Sequence, residues 1–311
     1  MPNNKTGLSL VSLHTAAEVE QFSESWYRKT GKHPEFELSY HMNSQFIEDI
    51  PFIKGRVLSG HAPCPGGRYL PNLGSRDASV IRESFDSLKI SADTVASFGG
   101  NILVLHAGYT MDGPVYTKYI KRKKVLEEYD KQSDYLWLKE GSICKPGYGN
   151  SEEYKVHMKE TLKNLKEAAD ICMDRGIRLA VENLNPRLTY LFQMSEDFVR
   201  MAEGIDNISI CIDIGHLWIS SLIHNFDYFT ALQLLTSTGR VVSAHIHDNP
   251  SNSGSNPYYS DDHRTLGTGV VPIKESVLHL VKNSSANLII EAASDPLKNL
   301  EMLDSMVCPQ D

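Results

Sequence analysis

Short apolar runs rich in Val, Ile and Leu recur along the chain and alternate with longer stretches whose apolar residues fall at helical spacing. The short runs are Gly7–His14, Glu35–His41, Gly55–His61, Asn101–His106, Arg178–Glu182, Ile208–Asp213, Val241–His247 and Asn287–Glu291. Near-continuous hydrophobicity over so few residues predicts strands buried on both faces. Between them, Ala16–Thr30, Ala78–Phe98, Glu152–Arg175, Ser195–Gly204, Phe226–Ser237, Ile273–Lys282 and Pro296–Met306 predict helices. Gly99-Gly100 and Gly176 are stop signals, and Ser195-Glu196-Asp197 suits a helix N-terminus, where anions complement the dipole. Alternation through the whole chain predicts an α/β fold of parallel units: one closed (β/α)8 TIM barrel over residues 1–311, with an open doubly wound sheet as runner-up. No GxGxxG follows the first strand, and neither a P-loop nor a GxSxG elbow is present, which disfavours dinucleotide, nucleotide and serine-hydrolase chemistry.

Two segments interrupt the alternation. Residues 107–151 form a long insertion carrying Lys118, Lys121, Arg122, Lys123 and Lys124, then Tyr129, Tyr135 and Trp137. Long loops in compact domains are usually functional, so a lid is one expectation. The Lys121–Lys124 run reads first as a solvated helix face, and as a phosphate grip if the loop covers the mouth. Residues 249–260 form a second, polar loop.

Composition narrows the picture. At 23% charged and 41% hydrophobic residues, the chain is globular rather than disordered. A net charge of −8 disfavours broad non-specific nucleic-acid binding. No apolar run approaches membrane-spanning length. Five scattered cysteines, Cys64, Cys144, Cys172, Cys211 and Cys308, form no CxxC pair and read as free thiols of a reducing, cytoplasmic compartment.

The chemistry gathers where the predicted strands end. The third ends in His61, the fourth in His106, the fifth in Glu182-Asn183, the sixth in Asp213 with His216 three residues on, the seventh in His245-Ile-His247-Asp248, and the eighth in Glu291; Asp261 and His263 follow the seventh. Strand C-termini of a barrel open on one face, so these residues converge although distant in sequence. Imidazoles and carboxylates in one pocket suit Zn, Mn, Co or Fe, whereas the carboxylates alone would need other cations beside them.

These stretches carry a family resemblance. His61 followed by Tyr69-Leu-Pro-Asn-Leu-Gly74-Ser75, Cys211-Ile-Asp213-Ile-Gly215-His216, and His245-Ile-His247-Asp248 with Gly254-Ser255, Asp261-Asp-His263 and Leu266-Gly-Thr-Gly269 resemble the endonuclease IV family of apurinic/apyrimidinic endonucleases, within the xylose-isomerase-like TIM barrels. The resemblance implies metal ligands at His61, His106, Glu182, Asp213, His216, His245, Asp261, His263 and Glu291, up to three zinc ions, and catalytic roles for Glu182 and Glu291. It also shows departures. Gly215 stands where the family has Cys, His247 where it has Asn, the His61 segment carries Cys64-Pro-Gly-Gly-Arg68 before Tyr69, and the family's loop after strand four is short. His14, His41, Arg68, Tyr69, Asn183 and His247 are expected near substrate, and Asp248 is expected to hold a histidine ring.

Two activities follow, with a non-catalytic metal-binding barrel as a third class. The first is metal-dependent phosphoester hydrolysis, with metal-held hydroxide as nucleophile and damaged DNA or a smaller phosphorylated molecule as substrate. The second is isomerisation or epimerisation of a sugar or sugar phosphate, with one metal on Glu182, Asp213, His245 and Glu291 and a proton shuttle between the two glutamates. One divalent metal on that quartet leaves a net −1; three metals on its carboxylates plus Asp261 leave +2, which suits an anionic phosphate.

Overall fold

The computed structural model describes residues 4–130, 136–137, 143–255 and 257–307. Eight strands form a closed barrel: β1 (Thr6–Ser9), β2 (Phe36–Leu38), β3 (Val57–His61), β4 (Ile102–Leu105), β5 (Arg178–Glu182), β6 (Ile208–Asp213), β7 (Val241–Ile246) and β8 (Asn287–Ile290). Each pairs in parallel with its sequence neighbour, and β1 closes the ring between β2 and β8. The connecting helices include α1 (Ala16–Thr30), α2 (Ala78–Ser97), α3 (Glu152–Met173), α4 (Ser195–Gly204), α5 (Ile214–His224), α6 (Tyr228–Ser237), α7 (Ile273–Asn283) and α8 (Pro296–Val307).

Strand alternation sorts the core into two parts. Outward residues pack under the helices in one large cluster, while Ile102, Val104, Ala180 and Cys211 form a separate cluster inside the ring. In the β4, β5 and β6 segments the same inward parity leads on to His106, Glu182 and Asp213 at the upper rim. The helices come close: a Cβ on Gly60 would stand 2.4 Å from Val95 Cγ2, so β3 seats α2 only with glycine there.

Several strands end earlier than their apolar runs. β1 gives way at Leu10–Ser12 to a 3-10 turn, because Thr15 and Glu18 cap α1 and pull the chain out of the sheet. Helix α5 begins directly after Asp213 without a loop; its segment is apolar on nearly every side, so it shows no stripe to mark it as a helix. The insertion adds an antiparallel pair between Tyr69–Leu70 and Val115–Tyr116, a helix Tyr119–Asp130, and a pair between Leu136–Trp137 and Ile143–Cys144. Along that helix Lys121, Lys123 and Lys124 are exposed as expected, whereas Arg122 is half-buried and donates from Nη1 to the Tyr116 carbonyl at 3.1 Å. Among the described residues no helix is long and apolar enough to cross a membrane. Cys64, Cys144, Cys172 and Cys211 are buried free thiols; Tyr135 and Cys308 lie outside the described residues.

Candidate metal centre

Three groups of donor atoms meet at the barrel mouth: His61, His106 and Glu182; Glu182, Asp213, His245 and Glu291; and His216, His247, Asp261 and His263, with donors in each group within 4.8 Å of one another. All nine residues expected as ligands are therefore brought together, and Glu182 belongs to two groups. His247, expected beside substrate, joins them.

Three of the imidazoles share one arrangement. His61 Nδ1 lies 3.0 Å from the Ala62 carbonyl, His216 Nδ1 3.0 Å from that of Asn183, and His263 Nδ1 2.7 Å from that of Glu291. Each backbone oxygen fixes an Nδ1–H tautomer, leaving Nε2 as the lone pair turned to the centre. His245 is reversed: Nδ1 faces Glu182 Oε1 at 3.3 Å and Glu291 Oε2 at 3.2 Å, and Nε2 faces Glu37. His61 Nε2 and His106 Nε2 face each other at 3.2 Å, with Glu182 Oε2 at 3.0 and 3.2 Å from them. Two imidazole nitrogens and a carboxylate oxygen so arranged could hold a shared cation.

The electrostatics agree. Burial alone would drive protons off the imidazoles, yet Asp213 and Asp261 hold His216 well above its usual range, and Asp261 pushes His263 up to about 10. For His106 burial wins and its pKa is lowered. Burial is the largest single influence and would raise the carboxylates, but the surrounding imidazoles together outweigh it: His245 and His106 hold Glu182, His245 and His263 hold Glu291, and His216 and His263 hold Asp261 well below the ordinary range. Buried Asp261 Oδ1 has no hydrogen-bond donor. Donor set, tautomers and orphaned oxygen all fit divalent cations.

Above the centre is a cavity of about 990 Å³. His61, His106, Glu182, His216, Asp261, His263 and Glu291 line its metal side, and Lys118, Arg122, Lys123 and Arg187 also reach it. The insertion therefore supplies a wall of the cavity. Asn185 also lines it and donates from Nδ2 to Asp261 Oδ2 at 2.6 Å.

The residues expected near substrate divide. His41 lines the cavity beside Tyr40, which sequence reasoning overlooked. His14 is exposed outside it, because the 3-10 turn ends the strand and its N–H is taken by Glu18 Oε2 at 2.6 Å. Arg68 and Tyr69 are turned elsewhere: the guanidinium lies over the Tyr69 ring at 5.1 Å, and that ring packs on Tyr116. Asn183 faces the Asp213 backbone instead of a ligand, accepting from its N–H and donating to its carbonyl, each at 2.8 Å. Asp248 does not hold a histidine ring with its carboxylate; it accepts the N–H groups of Asn249, Val271, Gly267 and Gly269 and so fixes the segment after His263.

Sequence reasoning also missed Glu37. It is fully buried on β2, with Oε1 3.1 Å from His245 Nε2, and its Oε2 accepts Ser59 Oγ–H at 2.7 Å. A glutamate inside a strand otherwise apolar was the available signal.

The family model described as xylose isomerase-like TIM barrel matches residues 53–305, and the chain belongs to that family. An uncharacterized protein of Methanocaldococcus jannaschii is 22% identical over 161 residues, 51% of this chain; the match spans 57% of that relative's length. A D-tagatose 3-epimerase-like protein superposes with TM-score 0.68 at 18% identity, covering 97% of both chains. The 3-keto-D-glucoside 4-epimerase of E. coli gives 0.62 at 16% identity over 98% of both, and a Thermus thermophilus protein soaked with ZnCl2 gives 0.59 at 16% over 97% of both. These likenesses establish the shared barrel.

Proposed function

We propose that the mouth of this barrel isomerises or epimerises a small anionic sugar, of which a sugar phosphate is the leading example, with divalent metal bound. The observation that carries the reading is the pair Glu182 and Glu291, both held ionised and both lining the cavity, converging on His245 Nδ1 from strands three places apart in the ring. Moving a proton at a carbon beside a carbonyl needs a base to take it and an acid to return it, and two carboxylates on different walls can divide those tasks. Glu182, Asp213, His245 and Glu291 would hold the metal, which when bound supplies Lewis-acid polarisation of the substrate's oxygens. His61, His106 and His216 line the same cavity beside that quartet. Lys118, Arg122, Lys123 and Arg187 suit a charged group of the substrate. The likeness to sugar epimerases supports this reading over hydrolysis at the level of shared architecture.

A second reading, phosphoester hydrolysis, is favoured by the two further donor groups, which offer more ligands than one metal uses. One experiment separates the two. The metal-loaded protein is incubated in D2O with a panel of ketose and aldose phosphates and followed by NMR, beside parallel assays on a phosphodiester and on abasic DNA. Deuterium entering at carbon, with interconversion of two sugars and no phosphate released, is expected. Cleavage of the phosphodiester or of abasic DNA without carbon exchange would overturn the isomerase reading. Glu182→Gln and Glu291→Gln should each lower kcat about 10²–10⁴-fold.

A further inference from the structure

One stretch of the cavity wall is built by a turn and a glycine from two different loops. β2 ends at Leu38, and the chain then turns over Ser39–Met42: the Met42 N–H donates to the Ser39 carbonyl at 3.1 Å, and the His41 N–H donates to Ser39 Oγ at 3.3 Å. The added Cys64–Arg68 segment seats this turn. The Gly66 N–H donates to the Met42 carbonyl at 2.6 Å, and a Cβ on residue 66 would stand 2.4 Å from the Tyr40 carbonyl oxygen, so only glycine comes this close. The turn presents Tyr40 to the cavity, with its ring centroid 5.0 Å from that of His61 and 6.2 Å from that of His106. Charges from both parts of the mouth act on its hydroxyl: Arg122 from the cationic wall, and Glu291 and Glu182 from the carboxylate pair. Tyr40 is half-buried, and among the described residues its hydroxyl is accessible and without a hydrogen-bond partner.

We propose that Tyr40 is a specificity residue of this site: its hydroxyl bonds an alcohol of the substrate chain lying between the carbons held at the metal quartet and the anionic group held at Arg122. The proposal deepens the sugar-phosphate reading and rests on it. A phenol is protonated at neutral pH and both donates and accepts, so it pairs with an alcohol in either direction. An ionised carboxylate only accepts and a guanidinium only donates. The charged groups of the mouth therefore bind charge and lone pairs, whereas Tyr40 adds a requirement for an uncharged hydroxyl at one place along the chain. The ring already packs against His61 and against His41, whose centroid is 4.0 Å away, so little side-chain freedom is lost when substrate binds. The site thus selects polyhydroxylated phosphates over deoxygenated ones, and the segment added after His61 serves that selection by holding the turn that carries Tyr40.

The test measures binding of ligands that lack the carbonyl and so are not turned over. Metal-loaded wild type, Tyr40→Phe and Gly66→Ala are titrated calorimetrically with D-glucitol 6-phosphate, with its single-deoxy analogues and with inorganic phosphate; metal analysis and circular dichroism check loading and fold. Tyr40→Phe keeps the ring and removes only the hydroxyl. It should bind glucitol phosphate about 10-fold more weakly than wild type, with inorganic phosphate and metal bound as before. For the one deoxy analogue that lacks the bonded alcohol, wild type and Tyr40→Phe should bind equally, a coupling that a merely structural tyrosine would not give. Gly66→Ala, which pushes on the Tyr40 carbonyl, should show the same selective loss, and wild-type binding in it would overturn the role of the added segment. Equal affinity of wild type and Tyr40→Phe for glucitol phosphate, or a loss shared by inorganic phosphate and every deoxy analogue, would overturn the assignment of Tyr40 alone. A wild type that binds inorganic phosphate but no polyol phosphate would overturn the sugar reading, and the assignment with it.

Discussion

Glu37 Oε1 lies 3.1 Å from Nε2 of His245, on the edge of the ring opposite the nitrogen that faces Glu182 and Glu291. Both residues are fully buried, and the carboxylate, which also accepts the Ser59 hydroxyl, is placed to fix the ring's tautomer and direction. Glu37→Gln retains the size of the side chain but weakens its hold on the Nε2 proton. Metal affinity of the quartet should fall about 10–100-fold, read by chelator competition, while Glu37→Asp recovers part of the loss. Equal affinity in wild type and Glu37→Gln would show that His245 is oriented by packing alone.

The cationic wall gives a prediction about substrate charge. Lys118 and Lys123 are exposed at the cavity rim, so Lys118→Gln with Lys123→Gln should leave the fold intact. KM for a phosphorylated sugar should rise about 10-fold with kcat little changed, and the difference should shrink at high salt, where screening weakens the wild-type advantage. An unchanged KM would place the anion elsewhere.

Asp248 is a prediction about architecture. Its carboxylate collects four N–H groups from the chain around and beyond His263. Asp248→Ala leaves buried donors without a partner and should cost at least ~2 kcal/mol in urea unfolding, with loss of the metal that Asp261 and His263 help to hold. Stability within experimental error of wild type would mean that water replaces the carboxylate.

Away from the mouth, Asp197 on α4 is buried and accepts the Tyr154 hydroxyl at 2.6 Å. Burial pushes its carboxyl up from 3.8 to about 6. Because the folded state binds this proton more tightly than the unfolded chain, the stabilisation is fully present below about 3.8 and is lost as pH rises through about 6. Asp197→Asn removes that dependence. The stability of wild type minus that of Asp197→Asn should therefore fall by on the order of 3 kcal/mol between pH 3.5 and pH 8. A flat difference would show that the carboxyl titrates normally in the fold.

Much of the barrel is legible in the sequence because parallel strands buried on both faces are short, apolar and separated by amphipathic helices. Arg178–Glu182 and Ile208–Asp213 match the structure residue for residue. The metal donors are legible because a barrel delivers strand ends to one rim, so chain position stands in for space. The errors have physical causes. The apolar run that leads up to His14 passes through a 3-10 turn ahead of the Thr15/Glu18 capping box, and no periodicity in the run marks where the strand stops. Asn183 and Asp248 spend their polar atoms on backbone groups, a pairing that leaves no periodic trace. Helix α5 was hidden by burial on nearly all its faces. The pairing of Glu37 with His245 depends on which residues face one another across the ring, and that is a property of register rather than of spacing.

The insertion contributes no strand to the ring; it is anchored outside it, through Val115–Tyr116 against Tyr69–Leu70. Its lengthening, shortening or change of sign leaves the alignment of the eight strands, and with it the metal donors, untouched. On the proposed reading, most of the cationic wall that would recognise the substrate and the ring that would react with it are separately variable pieces of one polypeptide, so a change in what is accepted need not rebuild the reacting groups.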